Sequence, residues 1–158
     1  MFDLKDGAKV GIVSGSASDK AIVDKITGVL DSFGIVWEYN VLSAHRMPNK
    51  TARYVREAKG RGLQVLVGVA GLAAALPGVM ASHTVLPVIG VPGDGGPLSG
   101  VDALHSIVQM PSGIPVATVG IGNGKNAGYL AAAIVALGDP AVAEKLEAYR
   151  RGLGDIEG

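Results

Sequence analysis

Short hydrophobic runs alternate with amphipathic stretches along this chain. Residues 9–14 (KVGIVS) form a β-branched run that is typical of a strand buried in a parallel sheet. Between residues 22 and 33, apolar side chains recur every three or four positions, which is the spacing of a helix with one buried face. We expect Ser18 or Asp19 to cap this helix and Gly34 to end it in the left-handed conformation.

The strand-and-helix unit then repeats. Further strands are predicted at residues 36–42, 65–70, 88–91 and 116–120, and further helices at residues 48–59, 77–83, 101–109, 126–137 and 141–151. Such alternation indicates right-handed β-α-β units around a parallel sheet with helices on both faces. We therefore predict a single α/β domain over residues 1–158, a three-layer sandwich whose five-stranded parallel sheet has the flavodoxin-like order 2-1-3-4-5. Residues 140–158 are expected to form a C-terminal helix and tail.

Composition narrows the classes of function. Lys plus Arg number 14 and Asp plus Glu number 14, so the chain lacks the basic surplus of nucleic-acid binders. There is no cysteine, which excludes disulfides, thiolate metal sites and a cysteine nucleophile. No apolar run is long enough to span a bilayer, and no secretory signal opens the sequence. We expect a cytoplasmic protein without a nucleic-acid or membrane partner, and a balanced charge permits self-association.

Ligands of open parallel sheets bind beyond the carboxyl ends of the strands, so the residues after each strand are the candidates for a site. Gly15 to Asp19 (GSASD) follow the first strand. Free N–H groups at a helix start, together with the hydroxyls of Ser16 and Ser18, suit an anion such as phosphate. Asp19 is an acceptor suited to ribose hydroxyls. The same residue types also form ordinary helix caps, and spacing alone leaves both interpretations open.

A histidine and an arginine stand side by side after the second strand, in the loop at residues 43–48 (SAHRMP). The planar guanidinium of Arg46 fits phosphate or carboxylate. Histidine has a reference pKa of about 6.5, so His45 can give and take protons at working pH. Their place at the expected ligand edge favours a functional role over a solvated surface loop.

The loops after the third, fourth and fifth predicted strands contain fewer residues that could bind or react with a ligand. Residues 71–78 have no titratable group and offer backbone N–H groups and an apolar wall, or simply close packing. Residues 92–100 are expected to form a mobile lid or an inter-subunit loop. Asp94 in this loop is a candidate for a functional role, although a solvated turn residue is the favoured interpretation. The loop at residues 120–126 lacks a dinucleotide-binding fingerprint, and Lys125 need not be a ligand. His83 and His105 fall in predicted helices, and scattered histidines without an acidic cluster make a poor metal site.

Four segments together resemble one family, the carboxyaminoimidazole ribonucleotide mutases, also called the catalytic subunit of phosphoribosylaminoimidazole carboxylase. They are residues 15–19, 43–48, 70–78 and 98–117 (LSGVDALHSIVQMPSGIPVA). The second and fourth segments are specific signals, whereas the first alone would be weak. The resemblance extends over residues 9–150, which is nearly the whole chain.

This resemblance implies a homo-octamer that isomerises a ribonucleotide in purine biosynthesis without a metal or cofactor. The carboxyl group of 5-carboxyaminoimidazole ribonucleotide would leave the exocyclic nitrogen as carbon dioxide and re-attach to a ring carbon, giving 4-carboxy-5-aminoimidazole ribonucleotide. By analogy His45 transfers the proton, Ser16, Ser18 and Arg46 hold the phosphate, and Asp19 holds the ribose. The carboxyl group or carbon dioxide would be held by Ser43, Ala44, Gly71, Leu72 and Ala73.

Three positions depart from the family pattern. Ala75 stands where a histidine is expected, Lys20 where an aromatic residue is common, and Ser112 where a basic residue is common. The glycine-rich run at residues 93–96 is also unusual. These departures bear on substrate contacts more than on the fold.

Three alternatives stay open at this point. A carboxylase that uses free carbon dioxide resembles the same loop but carries lysine at the position of Arg46, which favours the mutase. A related enzyme that carboxylates a pyridine nucleotide is favoured slightly by Ala75 and opposed by the intact loop at residues 43–46 and by the lack of cysteine. A binding module that has lost catalysis would have no need of His45.

Overall fold

The computed structural model describes residues 1–154, and the last four residues of the predicted tail, 155–158, lie outside the described part. The strands are β1 (Val10–Ser14), β2 (Trp37–Val41), β3 (Val65–Ala70), β4 (Val88–Pro92) and β5 (Ala117–Thr118). The helices are α1 (Lys20–Phe33), α2 (Pro48–Ala58), α3 (Leu76–Ala81), α4 (Val101–Val108), α5 (Gly124–Ala136) and α6 (Pro140–Arg151). Short 3-10 turns occupy Ala17–Asp19 and Lys59–Arg61.

All neighbouring strands pair in parallel, and the sheet has the order β2-β1-β3-β4-β5. This confirms the predicted flavodoxin-like α/β fold. One apolar cluster packs α1, α5 and α6 on one face of the sheet, and a second packs α2, α3 and α4 on the other. The strands β1, β3 and β4 are buried throughout because they are covered on both faces.

The start of α1 differs from the prediction that Ser18 or Asp19 caps it. Ser16 instead caps the 3-10 turn that precedes the helix, and its side chain accepts the N–H of Ser18. The Asp19 carboxylate reaches back to the N–H of Ser16, completing a capping box, so it makes no side-chain bond to α1. The end of the helix is as expected, since Gly34 is left-handed with φ 71°.

Element boundaries shift where side chains pair locally. Asn123 accepts the N–H of Asn126 at 3.1 Å, which starts α5 two residues before the predicted position. The last strand is shorter than predicted, because only Ala117 and Thr118 pair with β4. α3 ends at Ala81, so His83 lies in the following turn rather than in a helix.

The side chain of Glu38, in β2, is the centre of a buried network of hydrogen bonds. The Glu38 side chain is 3% exposed and accepts hydrogen bonds from Tyr54 Oη and Arg61 Nη2, both at 2.8 Å, and from the N–H of Lys5 at 3.1 Å. Burial and the neighbouring carboxylate raise the pKa of Tyr54, because both disfavour a phenolate. The carboxylate is thus held by two side chains and by the N-terminal segment.

No helix within residues 1–154 is both long and apolar enough to cross a membrane.

Candidate active site

The loops after β1, β2, β3 and β4 meet at one edge of the sheet. The N–H of Gly15 donates to the carbonyl of Val69 at 3.0 Å, and the N–H of Gly93 donates to the carbonyl of Ala70 at 2.9 Å. Arg46 Nη2 donates to the carbonyl of Gly15 at 3.1 Å. The bond from Arg46 connects the loop after β2 to the turn after β1. The loop that carries His45 and Arg46 therefore lies next to the turn that carries the serines and Asp19.

Hydrogen bonds within the chain occupy part of the Gly15–Asp19 turn. Ser16 Oγ accepts the N–H of Ser18 at 3.2 Å and the hydroxyl of Ser18 at 2.9 Å, and the N–H of Ser16 donates to Asp19 Oδ2 at 3.1 Å. Two of the N–H groups expected to be free for an anion are therefore engaged in the capping box. Ser18 is exposed while Ser16 and Asp19 are half-buried, so the turn presents hydroxyl and carboxylate oxygens to solvent.

Burial at this turn changes the acidity of Asp19. Loss of solvation raises the pKa of its carboxyl group, and the hydrogen bond from the N–H of Ser16 lowers the pKa in part. Burial is the larger of the two effects. An aspartate with a raised pKa that faces a ligand edge is a candidate for contact with a neutral hydroxyl group.

Two strand residues that the sequence pattern did not indicate, Ser14 and Tyr39, are hydrogen-bonded to the turn or to each other. The hydroxyl of Ser14 donates to the carbonyl of Ser16 at 2.8 Å, and Tyr39 Oη lies 2.8 Å from Ser14 Oγ. Because the single proton of Ser14 is used on Ser16, Tyr39 donates to Ser14. Both residues belong to strands, where a serine and a tyrosine read as ordinary sheet positions.

The loop that carries His45 and Arg46 is fixed at its base. Ser43 is buried, and its Oγ accepts the N–H of Arg46 at 3.2 Å while its carbonyl accepts the N–H of Met47 at 2.8 Å. Ala44 is half-buried against the core. With the base held in this way, the side chains of His45 and Arg46 are exposed at the edge of the sheet.

The loop after β3 turns tightly beside them. Leu72 has φ 55°, and the N–H groups of Ala74 and Ala75 donate to the carbonyls two residues before them, at 2.8 and 2.7 Å. Leu72 and Ala73 are exposed, and Gly71 is half-buried. The loop after β4 abuts this turn, because a β carbon added to Gly93 would lie 3.2 Å from Gly71 Cα.

The remaining candidate residues have other neighbours or are exposed. Asp94 Oδ2 approaches Gly122 of the loop after β5, to within 3.3 Å of where a β carbon would stand, and Lys125 is exposed at the start of α5. His83 Nδ1 lies 3.4 Å from an arginine of α2, and His105 is exposed on α4. Residues 1–154 contain no group of three or more His, Asp or Glu side chains placed to hold a metal ion.

The three departures from the family pattern also have defined places. Ala75 is half-buried immediately before α3. Lys20 is exposed at the first position of α1 and forms an ion pair with Asp24 one turn along the helix. Ser112 is exposed between α4 and β5.

A histidine and an arginine lie at the carboxyl edge of a parallel sheet, beside a serine-rich turn and apolar glycine loops. This edge is where α/β proteins with parallel sheets bind small molecules. The family model described as AIR carboxylase matches residues 9–155. The chain belongs to this family.

Individual relatives are similar over most of the chain. The N5-carboxyaminoimidazole ribonucleotide mutase of Thermotoga maritima is 49% identical over 142 residues, which are 90% of this chain and 83% of that protein. The mutase of the same name from Vibrio cholerae is 50% identical over 143 residues, 89% of each chain. The phosphoribosylaminoimidazole carboxylase of Schizosaccharomyces pombe is 46% identical over 159 residues, which are 99% of this chain but 29% of that protein.

A solved structure has the same fold. The crystal structure of Treponema denticola PurE superposes with a TM-score of 0.83 at 30% sequence identity, covering 90% of this chain and 89% of that one.

Proposed function

We propose that this protein is a carboxyaminoimidazole ribonucleotide mutase, which converts 5-carboxyaminoimidazole ribonucleotide to 4-carboxy-5-aminoimidazole ribonucleotide in purine biosynthesis. The observation that carries the proposal is the bond from Arg46 to Gly15, which places the exposed His45–Arg46 pair beside the Gly15–Asp19 turn. The relatives favour the mutase over the carboxylase. Mutases are matched over 83% and 89% of their length, whereas the S. pombe carboxylase is matched over 29%.

The turn and the arginine hold the ribose phosphate in this proposal. A guanidinium has five N–H donors, and Arg46 spends one of them on Gly15, so the others remain for a phosphate oxygen. Ser18 donates to Ser16 within the chain, and a rotation about its χ1 angle turns that proton toward the phosphate. Asp19 accepts from ribose hydroxyls while it keeps its bond to the N–H of Ser16.

The loops after β2 and β3 hold the carboxyl group. A buried serine hydroxyl at Ser43 and the small residues Ala44, Gly71 and Ala73 leave room for carbon dioxide against an apolar wall that includes Leu72. Carbon dioxide is uncharged and poorly retained by ion pairs, so a wall of this kind suits it better than a cluster of cations. The enzyme must keep the gas beside the ring, which is a problem of proximity.

His45 transfers one proton in each direction. In the first step the bond from the exocyclic nitrogen to the carboxyl carbon breaks, the nitrogen takes a proton from His45, and carbon dioxide is released. In the second step the electron-rich ring carbon forms a bond to carbon dioxide, and the ring proton returns to His45. Protons and charge balance over the cycle, and the aminoimidazole ring supplies the nucleophile without an added cofactor. A positioned histidine contributes roughly 100- to 10,000-fold in such a role.

We also propose that the protein works as a homo-octamer in the cytoplasm. Large apolar side chains are exposed on the subunit, notably Val85, Val101, Val108 and Leu137, and their burial against a partner would favour self-association. Light scattering at micromolar concentration should give a mass near eight subunits. A monomeric mass would contradict the proposed octamer and would leave the proposed reaction untested.

A turnover assay separates the two reactions. The purified protein should convert 5-carboxyaminoimidazole ribonucleotide without added bicarbonate. A carboxylase would instead act on aminoimidazole ribonucleotide only when bicarbonate is supplied. Product that forms only under the second condition would overturn the mutase proposal, and no product under either condition would favour a binding module.

A further inference from the structure

A leucine in the loop after β3 adopts a backbone conformation that favours glycine. Leu72 has φ 55°, where the β carbon of an L residue crowds the backbone. Its side chain is also 54% exposed. A bulky residue held in this region at a ligand edge requires a contact that compensates for the strain.

That contact is with Gly96, in the loop after β4. A β carbon added to Gly96 would lie 2.5 Å from Leu72 Cδ2, so the leucine methyl fills the space that a side chain at position 96 would need. Gly96 is itself left-handed, with φ 86°. The lack of a side chain at position 96 therefore leaves room for the leucine side chain at position 72.

The inner part of the β4 loop is held by its backbone. Gly93 is bonded to the carbonyl of Ala70, and a β carbon at Gly100 would lie 2.5 Å from the carbonyl oxygen of Gly93. The outer part, residues 94–99, is exposed. Leu72 contacts this outer part and so connects it to the loop after β3.

We propose that the contact between Leu72 and Gly96 holds the β4 loop closed over the loop after β3, and that this closure retains carbon dioxide between its release and its re-attachment. The proposal rests on the mutase function given above. Between the two steps the ring is aminoimidazole ribonucleotide, and carbon dioxide is bound to nothing. If the loop opens at this stage the gas escapes, and dissolved carbon dioxide takes its place at the ring carbon. Gly96 is a positioning residue, since it acts on the loop and not on the reacting atoms. Leu72 both contacts the loop and belongs to the apolar wall proposed for carbon dioxide, and amide hydrogen exchange of the loop separates these two roles.

The test measures where the carboxyl group of the product comes from. Unlabelled 5-carboxyaminoimidazole ribonucleotide is converted in a buffer that contains ¹³C-bicarbonate in equilibrium with carbon dioxide, and label in the product is read by mass spectrometry. Leu72→Gly removes the contact and relieves the backbone strain, so this variant should fold. Gly96→Ala displaces the Leu72 side chain and also strains the left-handed backbone at position 96. Both variants should give several-fold more label per product than the wild type, with free aminoimidazole ribonucleotide accumulating.

Gly95→Ala is the matched control, because a β carbon at Gly95 meets no atom within 4 Å. It adds a methyl group to the same loop and should retain the wild-type label. Gly62→Ala is the control for backbone strain, because Gly62 is left-handed with φ 95° and a β carbon there also meets no atom within 4 Å. In the double variant Leu72→Gly with Gly96→Ala, the label should rise by less than the sum of the two single effects, since both changes act on one contact. Wild-type label in both single variants, or an equal rise in Gly95→Ala, would overturn the proposal.

A second measurement needs no turnover. Amide hydrogen exchange of residues 94–96, 98 and 99 should be faster in Leu72→Gly than in the wild type and unchanged in residues of α2. Unchanged exchange in the loop would show that the leucine does not hold it. A wild-type protein that fails to convert the carboxyamino nucleotide would count against the mutase function, and the exchange result would still decide whether the contact closes the loop.

Discussion

Replacing Arg46 by lysine tests whether the loop after β2 binds the substrate. In the free protein one guanidinium nitrogen donates to the carbonyl of Gly15 at 3.1 Å, and the rest of the group is exposed. A lysine ammonium is a point charge that can keep one partner but cannot present a planar fork to phosphate while it stays bonded to Gly15. The variant should therefore fold normally and lose one charge-assisted hydrogen bond in the complex.

The size of the loss follows from that count. One hydrogen bond to a charged group contributes about 1.5–3 kcal/mol. Since about 1.4 kcal/mol corresponds to a tenfold change in an equilibrium constant, the Michaelis constant should rise roughly 10- to 150-fold. The turnover number should change little, because the phosphate is remote from the bonds that break.

Steady-state kinetics with 5-carboxyaminoimidazole ribonucleotide measures both constants, and Arg56→Lys is the control. Arg56 is an exposed arginine on α2 whose contact is with His83, so its replacement should leave the Michaelis constant unchanged. An Arg46→Lys variant with a wild-type Michaelis constant would show that Arg46 does not bind substrate. A fall in turnover number alone would assign it to the chemical steps instead.

Three further changes test the remaining assignments. His45→Asn should lower turnover about 100- to 10,000-fold with little change in the Michaelis constant, because an amide can accept a hydrogen bond but cannot transfer a proton. Near-normal turnover in this variant would exclude the proton-transfer role. Tyr54→Phe removes one of the donors to the buried Glu38 carboxylate and should lower the free energy of unfolding by about 1.5–3 kcal/mol in urea titrations; an unchanged midpoint would mean that the other donors suffice. Because burial raises the pKa of Asp19 above its ordinary value of 3.8, the folded state holds that proton more tightly than the unfolded state. This contribution to stability is present below pH 3.8 and is lost as the pH rises through the raised pKa, so Asp19→Asn should gain stability relative to the wild type across that range. A difference that does not vary with pH would contradict this.

The order of the sheet was predictable because it follows from rules of connection. Five strands alternating with helices leave few right-handed arrangements, and 2-1-3-4-5 is one of them. The meeting of the loops after β1 and β2 was predictable for the same reason, since parallel strands end at one edge. The proximity of residues 15–19 to residues 43–48 could thus be expected from their positions after two neighbouring strands.

Other features depend on contacts that no local pattern contains. Ser16, Ser18 and Asp19 are all common cap residues, so the hydrogen bonds of the folded turn were needed to show that Ser16 forms the cap. The burial of Glu38 arises because Tyr54 and an N-terminal segment distant in sequence close over it, whereas its own strand reads as polar. The left-handed leucine after β3 gives no sequence signal either, because leucine seldom takes that conformation.

The shortness of β5 affects how these molecules behave toward one another when concentrated. An outermost strand presents unpaired N–H and C=O groups, which can recruit a strand of another molecule and start aggregation. Only Ala117 and Thr118 pair with β4, so little regular ladder remains on the outer side for an intruding strand to extend. The N–H of Val119 makes one further bond to β4, to the carbonyl of Gly90 at 3.1 Å. Val116 is a β-branched residue that would suit a longer strand, and leaving it outside the ladder limits cross-molecular β-pairing at this end of the sheet.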